Sequence, residues 1–314
     1  MSLFKVAPLE IFDEPLPGGT FPEAEIVGHF SVDGDGELAF DESQKKFLKM
    51  PSDLKRVKLD LNEGYVDIST PPDHQLNNID YILRWIQEDR EKHFPSSEFK
   101  NAFVGRRQLL AKVMCTPYDK DPWKFGVIFR DDNFYMCEFD REITATPNPE
   151  DETWVRSIFW GWKMLQYLTA DEADGKPKPD RQCNQNEEFD VVSKLKVNGH
   201  VLAYYYGVDA YDKDANCYVD IKTCKHVPEH DERRLRIFQR HKLLKWWAQC
   251  QLGAVSEVVG CYRDDSGIVT RLKCMPTREM PDSAREWSAN VCYNFLDQFL
   301  TWVKQRIPAV DADT

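Results

Sequence analysis

The sequence predicts an α+β fold from two observations. Runs rich in Val, Tyr and Ile, such as HVLAYYYG at 200–207, recur along the chain and are typical of β-strands. Helical patterns intervene between these runs at irregular intervals. This arrangement favours sheets with helices packed on them over a regularly repeated strand–helix–strand unit. No segment reads convincingly as an interdomain linker, so we expect a single domain over residues 1–314.

The N-terminal half combines strands, loops and one amphipathic helix. Residues 1–60 mix short apolar runs with Pro and Gly turns, which favours strands and loops. Residues 73–91 carry apolar side chains at helical spacing and predict an amphipathic helix. The segment 106–115 is short, and its pattern leaves the element type open. Residues 124–139 place two apolar runs around an Asp-Asp-Asn turn, so we expect a hairpin there.

The C-terminal half alternates between the same element types. In chain order, the predictions are a helix over 153–171, a polar loop over 174–188, strands over 189–197, 200–211 and 215–225, a helix over 232–252 and a hairpin over 256–276. A last helix is expected from Ser283 to about Arg306, because Ser283 and Glu286 have the spacing of a capping box. Its aromatic and aliphatic stripe should pack in the core.

Composition and charge bound the classes of function. The net charge of −12 does not favour non-specific binding of nucleic acid through the field of the whole chain. No run of about 18 apolar residues indicates a membrane span, and the first residues lack the pattern of a signal peptide. Nine cysteines without C-x-x-C pairs predict reduced thiols, and therefore a protein of the nucleus or cytoplasm.

One stretch is locally basic. Eight Lys and Arg residues fall between 222 and 245: Lys222, Lys225, Arg233, Arg234, Arg236, Arg240, Lys242 and Lys245. Two interpretations stay open. The cations either line a cleft that binds RNA, or they cover the solvated face of a helix.

The pattern that bears chemistry is Asp209 followed by Asp220-Ile221-Lys222. Residues alternate between the faces of a strand, so Asp220 and Lys222 share one face. Asp209 can join them if its strand is the antiparallel neighbour. Two carboxylates can hold a divalent cation against a phosphate, and a lysine can orient water or stabilise charge on phosphorus. The pattern therefore suggests phosphodiester chemistry, although surface strands of an acidic protein also match it.

Blocks in the same order along most of the chain resemble the DXO family of RNA decapping and exoribonuclease proteins. The block beside the motif is YVDIKTCK, followed by a basic helix that ends in KLLKWWAQ. The other matching blocks are EIVGHFSVDGDGELAFDES, LDLNEGY, NIDYILRWI, FVGRRQLLAKVMCTPY, GWKMLQYLTAD, CYRDDSG and VCYNFLDQFL. The resemblance implies two packed mixed β-sheets flanked by helices, a fold related to the D-(D/E)-x-K nucleases. It also implies action on RNA 5′ ends, with removal of incomplete, triphosphate or nicotinamide- and flavin-type caps and 5′→3′ degradation.

The resemblance implies a set of site residues, which this chain retains only in part. The family uses an arginine, a glutamate in a G-Y-K-F-E block, a Glu-x-Asp pair, a Glu-x-Lys pair and a later glutamine. These fall in turn on Arg107, Leu165, Gly207-x-Asp209, Asp220-x-Lys222 and Gln249. Two of the four metal-facing carboxylates are therefore missing, at Leu165 and Gly207.

The losses bear on metal binding. Asp209, Asp220 and the carbonyl of Ile221 are expected to support one Mg²⁺ or Mn²⁺ ion if the protein is active, rather than the two ions of a full site. Glu188-Phe189-Asp190 also has a Glu-x-Asp pattern. We interpret it as a solvated acid pair in a loop, because the resemblance places no ligand there.

The remaining site residues point to binding. Arg107, Lys222 and Gln249 are expected to bind an RNA 5′ phosphate, since arginine clamps phosphate bidentately and lysine adds a point charge. The alternative is a silent pocket in which these cations pair with Asp209 and Asp220. Trp246 and Trp247 are expected in the core rather than stacked on bases.

Three functions remain open at this point. The first is a degenerate decapping nuclease that binds RNA 5′ ends with little or no catalysis. The second is an active single-metal decapping, pyrophosphohydrolase, deNADding or deFADding enzyme with weak exonuclease activity. The third is a protein-interaction scaffold that binds no RNA. The expected partners are RNA 5′ ends, with room for a protein partner, and neither membrane nor DNA.

Overall fold

A computed structural model of the chain describes residues 12–17, 19–65, 79–88, 90–138, 152–182, 184 and 186–307. The strands are β1 (Glu25–Val32), β2 (Leu38–Ala39), β3 (Phe47–Leu48), β4 (Leu59–Asp60), β5 (Phe103–Arg106), β6 (Phe125–Arg130), β7 (Asn133–Glu138), β8 (Thr169–Ala170), β9 (Glu188–Val197), β10 (His200–Gly207), β11 (Ala210–Asp212), β12 (Cys217–Lys225), β13 (Val255–Arg263) and β14 (Ile268–Pro276). The α-helices are α1 (Asp80–Glu88), α2 (Arg90–His93), α3 (Arg107–Cys115), α4 (Glu152–Leu168), α5 (Glu232–Phe238), α6 (Leu244–Leu252), α7 (Met280–Ser283) and α8 (Ala289–Arg306).

Two mixed sheets of seven strands each organise the described residues. The first has the order β2-β1-β9-β10-β5-β7-β6, and the second has the order β4-β14-β13-β12-β11-β3-β8. Each sheet contains parallel and antiparallel pairs, such as β10 with β5 and β10 with β9. The predicted α+β class and the pair of mixed sheets with flanking helices are confirmed.

The connection from β10 to β11 leads from the first sheet to the second in a short step, and this step positions the site. Strand β10 ends at Gly207 in the first sheet, and β11 begins at Ala210 in the second. Val208 and Asp209 form the step between them. Strand β11 then pairs antiparallel with β12, with Ala210 opposite Val219. This confirms the antiparallel arrangement on which the convergence of Asp209 with Asp220 and Lys222 depends.

Apolar side chains pack on both faces of both sheets. One core cluster joins β9 and β10 to α3, α6 and α8, and it includes Trp246 and Trp247. A second cluster packs α1 on the opposite face of the first sheet, and a third packs α4 on the second sheet. Trp247 is fully buried and Trp246 nearly so, as expected of core residues. None of the described helices combines the length and hydropathy needed to span a bilayer.

Most element predictions agree with the structure. The hairpin of β6 and β7 turns at Asp131 and Asp132, whose φ angles of 47° and 60° are those of a primed two-residue turn. The segment 106–115 contains helix α3. The helix expected over 73–91 is present from Asp80, whereas 73–78 lie outside the described residues. The helix expected over 232–252 is interrupted by a π-helical turn over Gln239–Leu243.

The expected start of the last helix is wrong. Ser283 ends the short helix α7, where its hydroxyl donates to the carbonyl of Met280, and α8 begins only at Ala289. Glu286 makes an ion pair with Arg236 instead of closing a capping box. Pro281 supplies the physical reason, because it favours the first turn of a separate short helix at this point. The predicted apolar stripe nevertheless packs in the core, with Trp302 at its margin.

Candidate functional site

A cavity of about 410 Å³ lies beside the step from β10 to β11, where the chain passes from the first sheet to the second. Its walls come from the ends of β5, β9 and β10 in the first sheet, from β12 in the second, and from helices α4 and α6. Among the described residues, seven cationic side chains line it against four acidic ones. The cavity is therefore locally positive although the chain carries a net charge of −12.

The structure brings the three residues of the predicted motif together. The Lys222 ammonium lies 3.0 Å from Asp220 Oδ2 and 3.5 Å from Asp209 Oδ2. The backbone N–H of Ile221 donates to Asp209 Oδ2 at 2.7 Å, and the Cys250 thiol donates to Asp220 Oδ2 at 3.4 Å. Asp220 is only 1 % exposed. The two aspartates are therefore held by one shared cation and by fixed donors.

Burial and charge set the ionisation of this cluster. Burial raises the pKa of Asp209, and the nearby Lys222 opposes that shift without overcoming it. Burial also acts to raise the pKa of Asp220, but Lys222 and Arg107 outweigh it, so the pKa of that carboxyl is lowered. The pKa of Lys222 is raised, because the two aspartates offset the effect of burial on its ammonium. Asp220 and Lys222 thus form a charged pair at neutral pH.

Arg107 is a buried cation that lines the cavity. It is the first residue of α3 and is 6 % exposed. Its guanidinium lies over the ring of Tyr206 with 4.4 Å between the guanidinium carbon and the ring centroid. A side chain at residue 253 would meet Nη1 at 2.5 Å, so Gly253 leaves room for the guanidinium. Within the described residues, Nε and Nη1 have no hydrogen-bond partner, which is costly for buried donors unless a ligand accepts from them.

The other residues carried over from the resemblance take different positions. Gln249 and Leu165 both line the cavity, on α6 and α4 respectively. Leu165 thus presents an apolar side chain to this space. Asp220 and Ile221 are buried and are not among the residues that line the cavity.

The interpretation of Glu188 and Asp190 as a solvated loop pair is wrong. Both belong to β9, where Glu188 lines the cavity and Asp190 is 0 % exposed. The antiparallel register places Asp190 directly opposite Gly207. Asp190 Oδ1 lies 3.8 Å from the position that a β-carbon on Gly207 would occupy. The apparent loop acids start a central strand, because the β-type pattern after residue 188 extends back through them.

One wall of the cavity was not predicted from the sequence. Lys46 and Lys178 contact the two oxygens of Asp171 at 2.7 and 3.0 Å, and Arg181 pairs with Glu187. The hydrogen bonds from Lys46 and Lys178 lower the pKa of Asp171 to about 2. Lys46 and Asp171 are 125 positions apart, so sequence spacing carries no signal for this wall. The basic character of the loop around residue 178 was the one available hint.

The basic stretch over 222–245 does not form the cavity wall. Of its eight cations, Lys222 alone is among the lining residues. Lys225 pairs with Asp265, Arg236 with Glu286 and Lys245 with Asp119. This stretch therefore matches the interpretation as a solvated, ion-paired helix face.

The donor set fits one hard cation and not a pair of cations. Asp220 Oδ1 is buried and has no hydrogen-bond partner among the described residues, which leaves a ligand position open. However, no group of three or more His, Cys, Asp or Glu side chains in the described part of the chain is arranged to hold a metal ion. Asp209 and Asp220 would need water and substrate phosphate to complete an octahedral shell.

Comparisons with known proteins agree with the fold and identify the family. Residues 23–314 match the family model described as RAI1 like PD-(D/E)XK nuclease. The decapping and exoribonuclease protein of Rattus norvegicus is 30 % identical over 310 residues, which cover 93 % of this chain and 78 % of that protein. These matches confirm the resemblance to the DXO family.

Solved structures with low sequence identity share the fold. Scheffersomyces stipitis Rai1 in complex with (3′-NADP)⁺ and calcium ion superposes with a TM-score of 0.82 at 18 % identity, covering 98 % of this chain and 88 % of that one. Candida albicans Rai1 in complex with pU5-Mn²⁺ gives a TM-score of 0.78 at 17 % identity, covering 92 % and 84 %.

Proposed function

Because this chain belongs to the RAI1-like PD-(D/E)XK nuclease family, we propose that its cavity binds the 5′-phosphate end of RNA and that it hydrolyses RNA slowly or not at all. The observation that supports binding of the RNA 5′ phosphate is the buried guanidinium of Arg107. Two of its nitrogens have no hydrogen-bond partner within the described residues. A phosphate would accept from both nitrogens, which removes the cost of leaving them unpaired.

Lys222 and Gln249 support the same role. Lys222 lines the cavity and remains cationic, since its pKa is raised. It would add a point charge beside the phosphate that Arg107 clamps. Gln249 lines the same space and offers both a donor and an acceptor. The positive balance of the lining supports an anionic ligand in a chain that is acidic overall.

The low catalytic rate is proposed from the missing carboxylates. Leu165 and Gly207 stand where the family pattern has acids, and Asp209 and Asp220 share one lysine. A divalent cation, when bound there, would polarise the phosphate and activate water. The chain's own residues would orient the phosphate through Arg107 and hold the two aspartates in place through Lys222. At residues 165 and 207 they lack the two further carboxylates that the family pattern would offer to a second metal ion.

A second candidate is an active single-metal enzyme that removes caps or pyrophosphate. It is supported by Asp220 Oδ1, which has no hydrogen-bond partner within the described residues, and by Asp209, which lines the cavity and shares Lys222 with Asp220. The third candidate, a scaffold without RNA binding, is not favoured by a buried cation in a positive cavity. None of the eight described cysteines forms a disulfide bond, as expected for the nuclear or cytosolic location that we propose.

The binding experiment uses fluorescence anisotropy with RNA oligomers that differ only in a 5′ monophosphate or a 5′ hydroxyl. The 5′-monophosphate RNA should bind at least tenfold more tightly, since a charge-assisted pair in a buried site contributes about 1.5–3 kcal/mol. Arg107→Ala should remove most of this difference. Arg236→Ala is the matched control on the exposed helix face and should leave it intact. Equal binding of both ends by the unmodified protein would overturn the proposal.

The catalytic half needs a separate measurement. The protein is incubated with triphosphate, monophosphate and dinucleotide-capped RNA in the presence of Mn²⁺, beside Lys222→Ala. Little or no release is expected from either. Robust release of cap or nucleotides that Lys222→Ala abolishes would establish the single-metal enzyme instead.

A further inference from the structure

A second pair of acids lies beside the cavity, on strand β9 of the first sheet. Glu188 and Asp190 alternate along β9 and therefore share a face, and Glu188 lines the cavity. Asp190 is completely buried, and neither of its carboxyl oxygens has a hydrogen-bond partner within the described residues. A buried acid without partners is costly, which points to a role beyond packing.

Because Gly207 has no side chain, the space next to Asp190 is left unfilled on the side of the cavity. Asp190 Oδ1, at 3.8 Å, is the single atom found within 4 Å of a β-carbon placed on Gly207, chain neighbours aside and among the described residues. The rest of that volume is open, and Gly207 itself lines the cavity. A longer side chain at residue 207 would fill the space between Asp190 and the cavity.

Arg106 and Tyr205 complete the same wall. Tyr205 stands opposite Arg106 on one side and Val192 on the other, so Arg106 and Tyr205 share the face that carries Asp190. The Arg106 guanidinium carbon lies 5.1 Å from the centroid of the Tyr205 ring, and both residues line the cavity. The wall thus offers arginine donors, an aromatic ring and carboxyl acceptors side by side.

These groups match a nucleobase better than a metal ion. A bound cation would be repelled by the positive charge of Arg106, which interacts electrostatically with both Glu188 and Asp190. A phosphate would be repelled by the two acids. A planar base with acceptors next to donors satisfies all the groups together.

Resting on the proposed 5′-end binding, we propose that Glu188, Arg106 and the space left by Gly207 form a subsite that selects guanine at the first nucleotide of the bound RNA. Guanine presents the O6 acceptor beside the N1–H and N2–H donors, so arginine can donate to O6 while a carboxylate accepts from N1 and N2. Uracil has one donor between two acceptors. Adenine and cytosine place a donor where O6 would be.

The position of Arg107 is consistent with this assignment. Arg106 lies over Tyr205 and Arg107 over Tyr206, and consecutive tyrosines point to opposite faces of β10. The cavity therefore surrounds the end of β10 at Gly207. A nucleotide with its phosphate at Arg107 can place its base on the Arg106 side of that strand end.

The test measures anisotropy with four 5′-monophosphate RNAs, each of five nucleotides and identical except for the first base. The unmodified protein should bind the guanine end roughly tenfold more tightly than the uracil end, the scale of one good base contact. A fifth RNA begins with inosine, which lacks the 2-amino donor, and should lose several-fold in affinity relative to guanine.

Variants separate the subsite from phosphate binding. Glu188→Gln should reduce the guanine preference, and Gly207→Leu should abolish it by filling the space, while both retain dependence on the 5′ phosphate. Glu229→Gln is an exposed control outside the cavity and should change nothing. Circular dichroism establishes that each variant is folded, and the inosine comparison needs no variant.

The outcomes distinguish the two proposals. Equal affinity for all first bases, with binding still lost in Arg107→Ala, overturns the guanine subsite and leaves 5′-end binding in place. Binding that is insensitive to both the 5′ phosphate and Arg107→Ala overturns the proposed function itself.

Discussion

The Lys222 ammonium lies 3.0 Å from Asp220 Oδ2, and Asp220 is 1 % exposed. The same ammonium is 3.5 Å from Asp209 Oδ2. One cation therefore partly offsets the charges of two acids whose ionised forms burial would otherwise disfavour. Removing the cation would leave two like charges close together in a buried site, which links the integrity of the site to the stability of the fold.

Replacing Lys222 should destabilise the protein substantially. We expect Lys222→Met to lower the free energy of unfolding by about 3–5 kcal/mol, because breaking a buried ion pair leaves an uncompensated charge. Urea denaturation followed by circular dichroism measures this. Lys225→Met is the matched control, since Lys225 pairs with Asp265 at the surface, and it should change the midpoint little. Equal midpoints for the two variants would contradict the shared-cation arrangement.

Neutralising Asp171 should strengthen RNA binding. Asp171 holds Lys46 and Lys178 at one wall of the cavity, so Asp171→Asn frees two cations for RNA phosphates. We expect tighter binding of 5′-monophosphate RNA and a steeper dependence of the affinity on salt, because more counterions are released. Anisotropy titrations at several salt concentrations check this. A weaker or unchanged affinity with the same salt slope would place the RNA away from this wall.

Asp171 should also contribute to acid sensitivity. Its pKa is lowered to about 2 by hydrogen bonds from Lys46 and Lys178. A carboxyl with a lowered pKa in the folded state stabilises the fold above its unfolded pKa of about 4. That contribution is lost as the pH falls from about 4 to about 2. The difference in unfolding free energy between the unmodified protein and Asp171→Asn should therefore shrink over this range. A difference independent of pH would show that the ion pairs do not contribute.

An acid at residue 207 should conflict with Asp190. Its β-carbon would lie 3.8 Å from Asp190 Oδ1, so Gly207→Glu brings a second carboxyl group close to the fully buried Asp190. We expect Gly207→Glu to be less stable than the isosteric Gly207→Gln by about 1 kcal/mol or more, the scale of one pKa unit. Adding Asp190→Asn should remove the difference. Thermal denaturation of the four proteins provides the double-mutant comparison, and additive effects would refute the conflict.

Much of the fold follows from local patterns. The Asp131-Asp132-Asn133 turn predicts its hairpin, because few residues other than Asn, Asp and Gly adopt the two left-handed conformations that the turn requires. The strands around the motif were also predicted. By contrast, the capping-box pattern at Ser283 misplaced the start of α8, since a nearby proline began a separate turn and Glu286 found a partner in Arg236.

The candidate site was predictable from the sequence only for residues that a short connection between paired strands brings together. Asp209 immediately precedes β11, and Asp220 and Lys222 lie on its antiparallel neighbour β12, so their convergence followed from spacing and alternation. The resemblance to the DXO family added Arg107 and Gln249 and identified Leu165 and Gly207 as departures. Chain order determined that much, because strand pairing across a short connection leaves few alternatives.

Only the tertiary structure decided which acids lie at the cavity or directly beside it. Asp190 is opposite Gly207 because β9 and β10 pair in one particular register, and a shift by one residue would have turned its side chain to the other face. Lys46 and Asp171 meet because β3 and β8 are neighbours in the second sheet. Sequence patterns report the periodicity within an element, whereas packing between distant elements depends on the register and the order of strands, which no local pattern records.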